Sequence, residues 1–191
     1  MNVKDMLRQA SDAAKQLITL SDQTIIGILK ETAQVLRTHT EEVLAANRQD
    51  LERMDPANPK YDRLKLTEER LQGIAADMEN VSTLPSPLNK VLSETIRPNG
   101  MVIRKVTVPF GVIGVIYEAR PNVTFDVFSL CFRSGNVCVL KGGSDADFSN
   151  RALVRIIHSV LERQGINPAV CTLLPPDREA TAELLGAVGL V

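Results

Sequence analysis

Residues 108–145 read VPFGVIGVIYEARPNVTFDVFSLCFRSGNVCVLKGGSD, and the order of patterns in this stretch decides the fold. The apolar run over residues 112–116 has the length of a strand that is covered on both faces, and residues 137–140 repeat this pattern. The dozen or so residues between them have helical character and end at Gly135, a residue type at which helices commonly stop. Two buried strands joined by a helix predict a βαβ unit with parallel pairing and a right-handed crossover.

Polar segments follow both predicted strands. Residues 117–122 read YEARPN and residues 141–144 read KGGS. In open parallel sheets, ligands bind outside the carboxyl ends of the strands. The two segments lie at the same edge of the predicted sheet, so the sequence predicts a binding site at this rim.

The rest of the chain divides into a helical part and a strand-rich part. Residues 1 to about 83 keep the helical period of apolar residues through four predicted helices, the third over about 40–54 and the fourth starting at Thr67. Residues 91–108 alternate like a β-hairpin with a turn at 97–100. The later pattern predicts a helix from Ser144 to about 164, a strand over 170–174 and a short helix over 178–185. The last four residues, 188–191, predict the start of another buried strand.

Composition excludes several classes of protein. The formal net charge of −1 and the pI near 6.2 provide no basic surface for nucleic acid or anionic lipid. No apolar run reaches the ~18 residues of a membrane span, and the N-terminus lacks the apolar core of a signal peptide. Three cysteines at irregular spacing fit neither a disulfide framework nor a metal site. These features predict a cytoplasmic protein without a metal, a membrane anchor or a nucleic-acid partner.

The segments PFGVIGVIYEARPNVT and SGNVCVLKGGSDA resemble the gamma-glutamyl phosphate reductase family of the aldehyde dehydrogenase superfamily, and the resemblance extends over the whole chain. It implies an α/β fold, with a Rossmann-like parallel sheet flanked by helices, an all-helical N-terminal segment and a projecting β-hairpin. The implied division is a helical part of the cofactor domain at 1–84, an oligomerisation hairpin at 85–108 and a Rossmann-like core at 109–191. The resemblance also implies a homo-oligomer assembled through the hairpin.

The resemblance implies an activity as well. The family reduces L-glutamyl 5-phosphate to L-glutamate 5-semialdehyde with NADPH, in proline biosynthesis. A thiolate attacks the acyl phosphate, phosphate leaves, and hydride reduces the resulting thioester. Because the family is roughly twice as long as this chain, we expect the chain to be its N-terminal, cofactor-binding half, cut off within a strand and inactive alone. The alternative to a truncated chain is a natural short protein whose last strand is a sheet edge. The alternative function is that of a stand-alone nucleotide-binding or interaction domain without catalysis.

The three cysteines do not supply the nucleophile of that reaction. Cys138 and Cys171 lie in predicted buried strands, and Cys131 lies on the helix between the two strands of the βαβ unit. Burial raises the pKa of a thiol and blocks access to it, so each is predicted to be a small core residue. The family resemblance places the nucleophile elsewhere, outside this chain.

The first polar loop holds the candidates for substrate chemistry. The resemblance implies that Asn122 donates to the developing oxyanion, although the same residue could simply cap the helix that follows. Arg120 could bind a phosphate or a substrate carboxylate through its forked guanidinium, or be a solvated loop charge. Glu118 is a weaker substrate-binding candidate, since it could serve only as an ion-pair partner of Arg120.

The second polar loop holds the candidates for cofactor binding. Gly142 and Gly143 could turn backbone N–H groups towards an anion, helped by the positive end of the following helix. The resemblance implies that Lys141 reaches the adenosine ribose. It also implies that Ser144, being small and polar, leaves room for a 2′-phosphate and favours NADPH over NADH. The alternative is that Ser144 caps the helix and the glycines serve only the turn.

Overall fold

The computed structural model describes residues 2–190, and its elements follow the predicted order closely. The helices are α1 (Val3–Leu17), α2 (Asp22–Thr38), α3 (Thr40–Leu51), α4 (Tyr61–Leu64), α5 (Glu68–Thr83), α6 (Asn122–Arg133), α7 (Asp147–Arg163) and α8 (Arg178–Leu185). The strands are β1 (Val91–Ile96), β2 (Val102–Val106), β3 (Val112–Ile116), β4 (Val137–Lys141) and β5 (Cys171–Leu173). The four predicted N-terminal helices are confirmed, with the short α4 as an addition. None of the helices within residues 2–190 is long and apolar enough to cross a membrane.

Local capping chemistry explains where several helices begin. The side chains of Asn2, Ser21, Thr67 and Asp177 each accept a hydrogen bond of 2.7–3.1 Å from the backbone N–H three residues further on. Each bond satisfies one of the donors that the first turn of a helix leaves free, which is why these short polar residue types are favoured there. The starts of α2 and α5 are therefore readable from the sequence.

The predicted βαβ unit is confirmed. Strands β3, β4 and β5 form a parallel sheet in that order, with Val112 opposite Val137 and Cys138 opposite Cys171. Helix α6 connects β3 to β4 and ends before Gly135, whose φ of +71° is the left-handed conformation expected after a helix. Strand β4 is buried along its whole length, whereas β3 is partly exposed at the edge of the sheet.

Helices cover both faces of the sheet. Helix α1 packs against β4 and β5, while α6 and α7 lie against β4 and β5 with α2 and α5 packed on them. Buried apolar residues from α1, α2, α3 and α5 join those of the sheet in one continuous core. The helical residues 2–84 are therefore part of the same folded body as the sheet.

The hairpin of β1 and β2 lies outside this core. All residues of both strands are exposed, and the strands pair antiparallel with Thr95 opposite Ile103. Its turn closes through a hydrogen bond of 2.9 Å from the Arg97 N–H to the Met101 carbonyl, with Gly100 at φ +83°. A projecting hairpin with an Asn-Gly turn is thus confirmed.

The structure corrects three predicted elements. Helix α3 ends at Leu51, short of the predicted residue 54, and the strand predicted over 170–174 is reduced to Cys171–Leu173 after a 3-10 turn at Pro168–Val170. The buried strand predicted over 188–191 is wrong for residues 188–190. They form a turn after α8, in which the Leu190 N–H bonds the Ala187 carbonyl at 3.1 Å and Val188 is 93% exposed. Residue 191 lies outside the described residues.

Helix α6 provides a test of the core. Phe128 is fully buried and stacks on Phe132 with ring centroids 5.2 Å apart, so Phe128→Ala would leave a cavity between the helices. We expect a loss of about 3–5 kcal/mol in the free energy of unfolding, measured by urea denaturation. Leu130→Ala is the matched control, because Leu130 lies on the same helix and is 54% exposed; its effect should stay within about 0.5 kcal/mol. Equal losses for the two variants would contradict this packing.

Candidate functional site

The carboxyl ends of β3 and β4 meet at one rim. Ile116 lies opposite Lys141, and the Tyr117 N–H continues the ladder by donating to the Lys141 carbonyl at 3.0 Å. A Cβ on Gly143 would lie 3.5 Å from the Glu118 Cα. The two polar loops that the sequence placed at a common edge are therefore in contact.

Lys141 is buried at this rim and forms no ion pair among residues 2–190. Its Nζ donates to the Gly142 carbonyl at 3.0 Å and to the Pro176 carbonyl at 3.2 Å. An ammonium group has three protons to donate, and these two bonds use two of them. Pro176 follows β5, which makes the segment after β5 the third component of the rim.

The glycine pair before α7 has a steric role. A Cβ on Gly142 would lie 2.3 Å from the Asn150 Nδ2, whereas Gly143 has room and an ordinary φ of −76°. The cap position of the 3-10 turn Ser144–Ala146 is occupied by Gly143, and no side chain caps this turn. Ser144 is the first residue of the turn and is exposed. The alternative in which Ser144 caps the helix is therefore wrong.

The positive end of α7 is occupied from within the protein. Asp50, a buried residue of α3, already occupies that position. Its carboxylate accepts from the Phe148 N–H at 3.2 Å, the Ser149 N–H at 2.8 Å and the Ser149 Oγ at 2.7 Å. Because these N–H groups are satisfied inside the protein, a ligand anion at this rim must depend on other donors.

Arg53 connects this carboxylate to the second polar loop. Its Nη2 lies 2.6 Å from the Asp50 Oδ1 and donates to the Ser144 carbonyl at 3.2 Å, while its guanidinium stacks on Phe148 at 4.7 Å from the ring centroid. Asn47, one turn earlier in α3, donates to the Ser149 Oγ at 3.0 Å. Helix α3 therefore holds the loop before α7 in place.

Sequence reasoning missed Asn47, Asp50 and Arg53 because 91 to 102 residues separate them from the residues of that loop and of α7 to which they bond. One signal was present. Asn47 and Asp50 interrupt the apolar face of a helix at a spacing of three, and buried polar residues of this kind need partners.

The structure corrects the reading in which Asn122 caps the helix that follows. Asn122 is the first residue of α6, not its cap, and its Nδ2 donates to the Asp126 Oδ2 at 3.0 Å. Glu118 pairs with Lys60 at 3.3 Å, so the expected pairing with Arg120 is wrong. Arg120 is exposed and forms no side-chain hydrogen bond or ion pair within the described part of the chain.

A buried hydroxyl network supports the two loops from below. The Tyr117 hydroxyl lies 2.7 Å from the Thr124 Oγ1, which donates to the Asn150 Oδ1 at 3.1 Å. Burial raises the pKa of Tyr117 far above its ordinary value, so the phenol stays protonated as a donor. The same Asn150 is the residue that excludes a side chain at Gly142.

The three cysteines are buried, as predicted. Burial, with a smaller contribution from Cys138, raises the pKa of Cys131 to about 12. Contact with Cys171 and burial raise the pKa of Cys138 as well. A neutral, enclosed thiol is a poor nucleophile, so the described residues provide no activated cysteine.

Gly142→Ala tests how tightly the second loop is held. Asn150 is buried and bonded to Thr124, so it cannot move away from the added methyl group. We expect a loss of about 1–3 kcal/mol in the free energy of unfolding by urea denaturation. Gly143→Ala, the adjacent control, adds a methyl group at ordinary contact distance and should change stability by less than about 1 kcal/mol. Greater damage from Gly143→Ala would overturn this description of the loop.

Comparison with known proteins supports the resemblance. No family model matches the chain. The chain is 64% identical over 189 residues to gamma-glutamyl phosphate reductase of Azobacteroides pseudotrichonymphae genomovar. CFP2, with 99% of this chain and 45% of that protein covered. The crystal structure of gamma-glutamyl phosphate reductase from Thermotoga maritima matches with a TM-score of 0.92 at 31% identity, covering 97% of this chain and 46% of that one.

Proteins with lower sequence identity share this fold. Glyceraldehyde-3-phosphate dehydrogenase GapN of Methanocaldococcus jannaschii, solved in complex with NADP, matches with a TM-score of 0.73 at 17% identity over 99% of this chain and 39% of its own. The chain spans about half the length of the curated relatives that it matches. It is thus a homologue of gamma-glutamyl phosphate reductases, similar to their N-terminal part, with the fold shared by aldehyde dehydrogenases.

Proposed function

We propose that this chain provides the cofactor-binding part of an NADPH-dependent reductase that converts L-glutamyl 5-phosphate to L-glutamate 5-semialdehyde in proline biosynthesis. In this proposal, residues 1–84 and 109–191 form the cofactor domain, and residues 85–108 form an oligomerisation hairpin. The observation that carries the proposal is the 64% identity to a gamma-glutamyl phosphate reductase along nearly the whole chain.

The rim is chemically suited to a dinucleotide. Lys141 keeps one uncommitted proton on a buried ammonium, and Ser144 exposes a small polar side chain beside it. Lys141, Gly142, Gly143 and Ser144 would hold the adenosine ribose and its 2′-phosphate. Bound NADPH would supply the hydride. Since the end of α7 is already occupied by Asp50, the positive charge for the 2′-phosphate would come from Lys141.

Asn122 would act where the substrate reacts. In this proposal its amide contributes a donor to the developing oxyanion, and its bond to Asp126 orients it for that task. Arg120 and Glu118 would contact the substrate. None of Cys131, Cys138 and Cys171 would attack it, because all three are buried, and the chain alone would be inactive.

The burial of all three cysteines also favours a second candidate function. A non-catalytic nucleotide-binding domain would need the same rim and no nucleophile. The purified chain can be assayed with L-glutamate 5-semialdehyde, phosphate and NADP, and an inactive chain would agree with both candidate functions. Thiol-dependent turnover that is lost on mutation of one of the three cysteines would contradict both.

Lys141→Ala tests the role of the rim in cofactor binding. Removing a cation beside the 2′-phosphate should weaken NADPH binding more than NADH binding, with a change in discrimination of about 1–3 kcal/mol. Titration of the folded chain with each cofactor measures this difference. Lys141→Met is the companion variant, since it keeps the length and packing of the side chain but not the charge. Lys30→Ala, which removes an exposed lysine on α2, is the control.

Equal losses for NADPH and NADH in both Lys141 variants would mean that the lysine only supports the Gly142 and Pro176 carbonyls. Failure of the unmodified chain to bind either cofactor would reject the proposed function itself.

The exposed hairpin supports the proposal of a homo-oligomer. Both of its strands present apolar side chains to solvent, and a two-stranded ribbon with open edges tends to recruit further strands. The Arg97–Met101 hydrogen bond and the alternation of antiparallel pairs direct the Ile103 N–H towards Thr95 and leave the Val102 N–H on the open edge. A substitution that tests the open edge of β2 therefore has to be made at Val102.

Val102→Pro should weaken self-association of the chain, because it removes a donor from the open edge of β2. Sedimentation equilibrium over a range of concentrations measures the effect. Val102→Ala is the control, since it trims the side chain but keeps the N–H. A monodisperse monomer for the unmodified chain at high concentration would contradict association through the hairpin.

A further inference from the structure

A concave site lies next to the rim, on the side of α5. It is a cleft of about 340 Å³ between α5, the segment around α4 and the loop before α6. Arg120 and Asn122 line it from the loop, and Ile74 and Leu66 supply its apolar part. The cleft therefore adjoins the residues proposed to contact the substrate, although it is built mainly from the helical N-terminal segment.

Only some of the charged side chains that line this cleft form ion pairs. Arg70 bonds Asp62 at 3.0 Å, and these two neutralise each other. The remaining charged residues of the lining are Arg63, Lys65, Arg120 and Asp77. None of these four side chains has an ion-pair or hydrogen-bond partner within residues 2–190, in a chain that forms many ion pairs elsewhere. Three cations and one anion face the same space.

A second acidic residue, Asp126, is bonded to a residue that lines the cleft. Asp126 of α6 is half-buried and accepts a hydrogen bond from Asn122, and the charge of Asp77 on α5 acts on it. Burial raises the pKa of Asp126 first, the Asn122 hydrogen bond lowers it, and the charge of Asp77 raises it further. A cationic group bound at Asp77 would reduce the repulsion between these two carboxylates.

We propose that this cleft binds the amino-acid head of the substrate, with the α-carboxylate held by Arg120, Arg63 and Lys65 and the α-ammonium held by Asp77. The arrangement selects a zwitterion, since a simple dicarboxylate would leave Asp77 without a partner. This inference rests on the proposed function, and it assigns substrate recognition to the helical segment, which the sequence patterns did not indicate.

Ligand binding to the purified, ¹⁵N-labelled chain tests the inference, with L-glutamate as the probe. Amide shift changes should map to residues 62–77 and 120–126, with a dissociation constant on the order of 1 mM, as suits a ligand of this size on an open surface. Glutarate, which lacks the ammonium, and 4-aminobutyrate, which lacks the α-carboxylate, are the comparison ligands.

The variants have opposite expected effects. Asp77→Asn should weaken L-glutamate binding about fivefold, the size of one exposed ion pair, while glutarate binds equally well or more tightly because a repulsive charge is gone. Arg120→Gln should weaken both L-glutamate and glutarate and leave 4-aminobutyrate unchanged. Glu68→Gln, an exposed acid on α5 that does not line the cleft, should leave all three unchanged.

Three results would overturn the inference. They are no saturable binding of L-glutamate, shift changes confined to other surfaces, and parallel losses of L-glutamate and glutarate in Asp77→Asn. Cofactor titration of the same samples keeps the two proposals apart. Binding of NADPH without L-glutamate would reject the cleft alone, and the reverse would reject the proposed cofactor role alone.

Discussion

The carboxylate of Asp50 is the constraint on which the geometry of the rim depends. It is fully enclosed, and it satisfies the first N–H groups of α7 together with the Ser149 hydroxyl. A buried charge is costly unless each of its acceptor sites is used, so this arrangement defines the position of α3 relative to α7 within narrow limits. The loop between β4 and α7 then has both ends anchored, one in the central strand and one on Asp50.

This anchoring changes how the rim can bind an anion. In many nucleotide-binding folds the open end of a helix receives the phosphate, because its N–H groups are otherwise unsatisfied. Here an internal carboxylate fills that role, and the available positive charge is the Lys141 ammonium, which is held by two carbonyls from different loops. In the proposed cofactor site, binding of an anion would therefore depend on a single side chain and not on the helix dipole. Such a site is sensitive to the position of the segment after β5, since Pro176 supplies one of those carbonyls.

The helical N-terminal segment is more than a cover for the sheet. Asn47 in α3 bonds the Leu64 carbonyl at 2.9 Å and accepts from the Leu66 N–H at 2.8 Å, while its neighbour Asp50 holds α7. One helix therefore supports a wall of the proposed substrate cleft and the proposed cofactor loop. Through these hydrogen bonds the two proposed sites share a common support.

The βαβ unit, the helical N-terminal segment and the hairpin could all be predicted from the sequence, since each depends on local periodicity, on glycine at positive φ or on capping side chains such as Ser21 and Thr67. The sequence also placed the loops at 117–122 and 141–144 at one edge, because parallel strands end on the same side. The partners of these loop residues could not be predicted in this way. Glu118 pairs with Lys60, Asn122 with Asp126, and the end of α7 with Asp50. Hydrogen bonds between residues distant in the chain depend on how the helices pack, and periodicity carries no information about which polar side chains that packing brings together.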